Sequence, residues 1–161
     1  MAYMRAHAVA DAHRWAFRRN PEYANFDLMG GDCTNFVSQC LYAGCRVMNF
    51  TPDLGWYYLS LNDRSAAWTG VQYLFTFLTT NLGPGPYGRV YPLEAAEPGD
   101  IIQLSFDGVR YAHSLLVTQT GAVPSVSTIM LTSHTFDAHN RPLMTYAYQA
   151  LRLIHIDGAR Y

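Results

Sequence analysis

Two residues far apart in the chain have the types needed for thiol chemistry, Cys33 and His113. Cys33 lies in Gly30-Gly31-Asp32-Cys33-Thr34-Asn35-Phe36-Val37-Ser38-Gln39, where two glycines meet the start of an apolar helix. A cysteine there faces unsatisfied backbone N–H groups and the positive end of the helix dipole. Both favour thiolate over thiol, and the thiolate is the nucleophile. His113 lies in Tyr111-Ala112-His113-Ser114-Leu115-Leu116-Val117, a run with the character of a buried strand. A helix-start cysteine with a strand histidine is the pattern of acyl transfer through a thioester, with the imidazole as base and then acid. Asp32 works against the thiolate by like-charge repulsion unless it caps the helix or bonds elsewhere.

A third group should orient His113. If the strand at 111–119 pairs with one at 128–134 around a turn near Val123-Pro124, residue 134 falls opposite residue 113 on the same face. His134 is therefore the expected orienter, and Asp137 is the alternative. His134, Asp137 and His139 are too loosely spaced for a metal site, and no cofactor is expected.

These residues need helices first and a sheet second. Residues 4–18 carry apolar side chains at helical spacing, and Asn20-Pro21 ends that helix. The second helix should run from Cys33 to Ala43, with Asp32 as N-cap and Gly44 as its stop. A third should span 66–79. Residues 81–88 read as a breaker. Strands then follow at 101–104, 111–117, 128–134 and 151–156, with Asp107-Gly108 as a hairpin turn. Helices before strands imply an α+β fold with N-terminal helices packed on an antiparallel β-sheet. Trp56-Tyr57-Tyr58 covers the core or walls a substrate groove.

The bulk composition narrows the function classes. The chain has 161 residues, half of them hydrophobic and 14% charged, enough for one domain, 1–161, with a real core. A net charge of -1 gives no reason to expect nucleic acid or an anionic membrane surface. All 11 basic residues are arginine, so Schiff-base and P-loop lysine chemistries are excluded. No run is long enough to insert in a membrane, and the N-terminus lacks a signal-peptide pattern. The three cysteines cannot all pair. Cys33 and Cys40 are roughly 10 Å apart along a helix, too far for a disulfide. Cys40 and Cys45 read as small core residues.

The stretch at 30–39 resembles the signature of a bacterial family, the putative amidase domain. That family is similar to the NlpC/P60 and CHAP papain-like superfamily of cysteine peptidases. Supporting segments are Arg19-Asn20-Pro21, Gly55-Trp56-Tyr57, Trp68-Thr69-Gly70-Val71-Gln72, Pro98-Gly99-Asp100-Ile101-Ile102-Gln103, His113-Ser114-Leu115, Ser133-His134-Thr135-Phe136-Asp137-Ala138 and Arg141-Pro142-Leu143. The resemblance implies a papain-like fold, Cys33 as nucleophile, His113 as base and His134 as the third polar residue. It also implies that Tyr23 stands in the active-site cleft and helps form the oxyanion hole. Asp32 joins Tyr23 as a candidate on the substrate side. The implied activity is hydrolysis of an amide, with a peptide of the cell wall, derived from peptidoglycan, as substrate class and an extracellular or wall-associated setting. An acyltransferase on the same fold, or a binding module without activity, are the alternatives.

Overall fold

The computed structural model describes residues 2–161. It is an α+β arrangement with helices α1 (Arg5–Trp15), α2 (Cys33–Cys45), α3 (Ala66–Thr69) and α4 (Val71–Thr80). A small hairpin, β1 (Tyr58–Ser60) and β2 (Asp63–Arg64), precedes α3. Strands β3 (Gly85–Tyr91), β4 (Ile101–Ser105), β5 (Tyr111–Gln119), β6 (Met130–Ser133), β7 (Ala138–Pro142) and β8 (Ala150–Arg160) form one antiparallel sheet in the order β3-β8-β4-β5-β6-β7.

The sheet is covered on both faces, which explains the near-continuous apolar run of β5. On one face Leu116, Ile101 and Ile154 pack with Phe36, Val37, Cys40 and Leu41 of α2. On the other, Leu115 and Val117 pack with Leu104, Leu131, Leu143 and Leu153. Each fully buried Leu or Phe contributes about 1.5–3 kcal/mol. Side chains alternate between faces along a strand. On β5, Ser114, Leu116 and Thr118 therefore face the helices, and His113, Leu115 and Val117 face away.

Several boundaries differ from the expected ones for identifiable reasons. α2 continues to Cys45, and Gly44 lies inside it; Arg46, at φ 57°, takes the left-handed capping position. Gly44 is needed for space, since a Cβ there would overlap the Tyr3 ring. The helix expected over 66–79 is two, broken at Gly70, whose backbone is extended. β3 begins inside the stretch that reads as a breaker, because its Gly and Pro residues pair at the sheet edge with β8. Asp107 and Gly108 do make the β4–β5 turn: Gly108 has φ 79°, and the Asp107 carboxylate accepts from the Val109 and Arg110 N–H groups. The three cysteines are free and buried. Trp56 is fully buried and Tyr58 nearly so, so these two belong to the core.

Among the described residues no helix is long and apolar enough to cross a membrane. Nor is any group of three or more His, Cys, Asp or Glu placed to hold a metal ion among them.

Candidate functional site

α2 is the central element, with 11 of its 13 residues buried. Its polar side chains explain why the 30–39 stretch is so specific. Asp32, Asn35 and Ser38, three residues apart, lie on one side and hold irregular chain in place. Asn35 Nδ2 donates to the Ala24 carbonyl at 3.0 Å and to Asp32 Oδ1 at 2.9 Å, while its Oδ1 accepts from Trp68 Nε1 at 3.0 Å. Ser38 Oγ donates to the Trp68 carbonyl and accepts from Trp56 Nε1. On another side Thr34 Oγ1 meets Ser114 Oγ at 3.0 Å, and Ser114 Oγ accepts from Gln103 Nε2 at 3.1 Å. Gln103 Oε1 in turn takes two hydrogen bonds from Arg152.

Cys33 is the first residue of α2. Gly30 and Gly31 lead into it at φ 94° and 102°, a region that disfavours residues with a Cβ. No side chain caps the helix. Among the described residues, the backbone N–H groups of Cys33, Thr34 and Asn35 have no hydrogen-bond partner; the first to bond is that of Phe36, to the Asp32 carbonyl. The sulfur lies 3.8 Å from Thr34 Oγ1. Burial pushes the thiol pKa up, and this outweighs the backbone of Ser114 and the hydroxyl and backbone of Thr34, which favour the thiolate. The expectation that the helix start favours a resting thiolate is therefore corrected: burial, the largest influence on the thiol, raises its pKa.

Asp32 does not cap the helix and is not open to a substrate. Its carboxylate is 1% exposed. Oδ1 accepts from the Phe26 N–H at 2.9 Å and from Asn35, and Oδ2 accepts from His134 Nδ1 at 2.5 Å, with Arg19 Nε at 3.6 Å. With its charge matched in this way, Asp32 is the smallest of the named influences on the thiol.

His134 does not orient His113. The register pairs Leu116 with Thr132 and Val117 with Leu131. Carried two residues outward, it sets residue 134 against 114, one position from the expected partner, and on the helix face. There its ring lies 4.1 Å from that of Phe36, centroid to centroid. Nε2 donates to the Trp15 carbonyl at 2.7 Å, and Nδ1 donates to Asp32. Through these two contacts His134 joins the end of α1, the start of α2 and the β6–β7 turn.

Asp137, the alternative orienter, is also engaged elsewhere. Arg19 grips it through Nη1 and Nη2 at 3.0 and 2.9 Å and holds Asp27 in the same bidentate manner. Tyr23 stacks on Trp68 and lines a small cleft with Gln39 and Tyr42, far along α2 from Cys33. It is not beside the sulfur, because the chain from Asn20 to Phe26 runs back along the helix.

His113 occupies β5 next to Ser114, whose backbone favours the Cys33 thiolate. Its ring is on the face turned from α2, opposite Leu104 and 6.4 Å, centroid to centroid, from both Phe106 and Tyr146. Among the described residues no hydrogen bond joins it to Cys33 or to any other group. Burial, and then the Arg141 charge, lower its pKa to about 4. At neutral pH it is an uncharged imidazole across the sheet from the thiol, so the two do not form an imidazolium–thiolate pair. Alkylation of Cys33 by iodoacetamide should accordingly be slower at pH 7 than that of a free thiol. It should climb with pH beyond the ordinary thiol range of about 8.5, because the thiolate alone reacts and its pKa is raised. A rate already at its plateau at pH 6 would show an ion pair instead. Mass spectrometry of the Cys33 peptide reads the rate without interference from Cys40 or Cys45.

The family model for the putative amidase domain matches residues 2–156. The chain belongs to that family. It is 32% identical over 143 residues to the uncharacterized protein YhbB of Bacillus subtilis (strain 168), a match covering 86% of this chain and 43% of that protein. The chain thus spans less than half the length of this curated relative. No solved structure matches it.

The sequence pattern located Cys33 and its helix but missed Arg19, the Thr34–Ser114–Gln103 chain and the acceptor at Trp15. Arg19 carried a signal: it stands just past a helix end, within reach of Asp27 in sequence. The others become visible only once α2 is laid on the sheet.

Proposed function

We propose that this protein is a single papain-like domain across residues 1–161 that hydrolyses an amide through a thioester on Cys33. The observation that carries this is the start of α2, where a cysteine sulfur and three unpartnered backbone N–H groups stand together behind two glycines. The Cys33 thiol proton passes to solvent as the sulfur attacks the carbonyl carbon, and the free N–H groups at the helix start hold the oxyanion. The amine leaves with a proton from solvent, and water releases the acid and restores the thiol. His113, the base expected from the sequence, is corrected: its ring is on the sheet face turned from α2 and makes no hydrogen bond to Cys33 among the described residues, so it takes no part in this step. Family membership supports an amide as the bond cleaved; the resemblance to NlpC/P60 relatives supports a peptide of peptidoglycan as the substrate.

The test is a mass-spectrometric screen of peptidoglycan fragments and simple peptide amides, each with and without an added amine such as glycine methyl ester. Free acid in both arms is the expected result. Amine adduct replacing the acid would make the protein an acyltransferase. No Cys33-dependent product from any substrate would overturn the enzyme assignment.

A further inference from the structure

The Cys33 sulfur ends a chain of hydrogen bonds whose direction is fixed from its far end. Arg152, on β8, can only donate, and its Nε and Nη2 give to Gln103 Oε1 at 2.9 and 2.7 Å. That orients the Gln103 amide on β4. Its Nε2 faces the other way, donating to the Val71 carbonyl at 2.9 Å and to Ser114 Oγ at 3.1 Å. Ser114 and Thr34 are buried, and their hydroxyl oxygens are 3.0 Å apart. Having accepted from Gln103, Ser114 Oγ has its own proton to place, and among the described residues Thr34 Oγ1 is its one acceptor. The Thr34 proton is then left with the Cys33 sulfur, at 3.8 Å. Run the other way, the chain would strand a buried Ser114 proton, at a cost of about 1–3 kcal/mol. The rest of the layer between α2 and the sheet is apolar, so linked polar side chains are not needed to join the two.

We propose, resting on Cys33 as the nucleophile of the amidase reading above, that Thr34 is a further catalytic residue whose O–H donates to the sulfur as it takes on negative charge, and that Ser114, Gln103 and Arg152 are the positioning residues that keep this O–H pointing at it. With no base beside the sulfur, donors must hold the charge once the proton has gone to solvent. Hydrogen bonds in a buried chain polarise one another, and a guanidinium at the head strengthens each donor below it. The Thr34 hydroxyl and the backbones of Thr34 and Ser114 all favour the thiolate. The chain thus ties together the two residues that do so, one on α2 and one on β5. The charged groups that bear on the sulfur are Asp32, its neighbour in sequence, and Arg152, which acts only through the chain. His134, from the β6–β7 turn, is engaged with Asp32 and Trp15, and His113 faces away.

The pH profile of Cys33 alkylation by iodoacetamide, read on the Cys33 peptide, tests this without a substrate. Thr34→Val, which puts a methyl group where the hydroxyl was, should move the profile to higher pH, so that the rate at pH 7 falls about three- to tenfold, the size of one hydrogen bond. Thr34→Ser, which keeps the hydroxyl, should restore the wild-type profile. Gln103→Glu tests the direction. Its carboxylate still accepts from Arg152 but cannot donate to Ser114, so the chain turns round and Thr34 gives its proton to Ser114. The profile should move as far as in Thr34→Val, from a residue three hydrogen bonds away from the sulfur. Gln103→Met, with neither donor nor charge, should move it the same way; a shift in Gln103→Glu alone would be the work of the added charge and would overturn the chain. So would an unmoved profile in Thr34→Val, the variant of nearly unchanged shape that serves if the Gln103 variants fold poorly. On an amide substrate at pH 7, Thr34→Val should lower kcat by a similar factor. If the wild type turns over no amide, the amidase assignment fails, while the alkylation profiles still decide whether the chain serves the sulfur.

Discussion

His134→Ala should destabilise the protein by about 3 kcal/mol, the upper part of the range for leaving a buried polar group without its partner. The cost is large because the Asp32 carboxyl would stay in a site 1% exposed after losing its closest partner, at 2.5 Å. It falls short of the maximum because Phe26 N–H, Asn35 and Arg19 still face the carboxylate. For a chain of this size the melting temperature should fall by about 6–12 °C. Urea denaturation of wild type, His134→Ala, Asp32→Ala and the double variant gives the coupling between the two residues. A coupling near zero, or a His134→Ala protein as stable as wild type, would refute the pairing. Had His134 served only to orient the base, its removal would have spared the fold and slowed turnover. The opposite pattern is expected: a large loss of stability, and a smaller change in rate for the molecules that remain folded.

Cys33→Ala should abolish amide hydrolysis, with a loss of at least about a thousandfold in kcat, because no other group can form the acyl intermediate. Stability should change little: the sulfur makes one long contact with Thr34 and otherwise fills apolar volume. His113→Gln should change the rate little, because its ring faces away from Cys33; a loss of about 10²–10⁴, the usual contribution of a general base, would place it in the reaction. Acyl-enzyme trapping separates the two variants. Denaturing mass spectrometry after mixing with substrate should find acylated Cys33 in wild type and in His113→Gln, and none in Cys33→Ala. Full activity in Cys33→Ala would place the chemistry elsewhere in the molecule.

What local residue patterns determined is the set of elements and the two residues with reactive side chains. Helical spacing of apolar residues marked α1, α2 and α4, and alternation with turn residues marked β4, β5 and the Asp107-Gly108 turn. The glycine pair before Cys33 marked a helix start approached by bare backbone. These signals are short-range, so a linear reading can find them. Which polar residues do chemistry and which hold the fold was decided by tertiary structure. Asp32, His134, Asp137 and Arg19 are spread over more than a hundred residues, and each has the chemical character of a site residue. Only the crossing of α1, α2 and the β6–β7 turn shows that they bond to one another. The pairing of β5 with β6 is the clearest case. A strand alternates sides with a period of two, so a displacement of one residue moved His134 from the face of His113 to the face of α2. Nothing in the local sequence specifies that offset; it is set by burying Leu115, Val117 and Leu131 together on one face and Leu116 against α2 on the other.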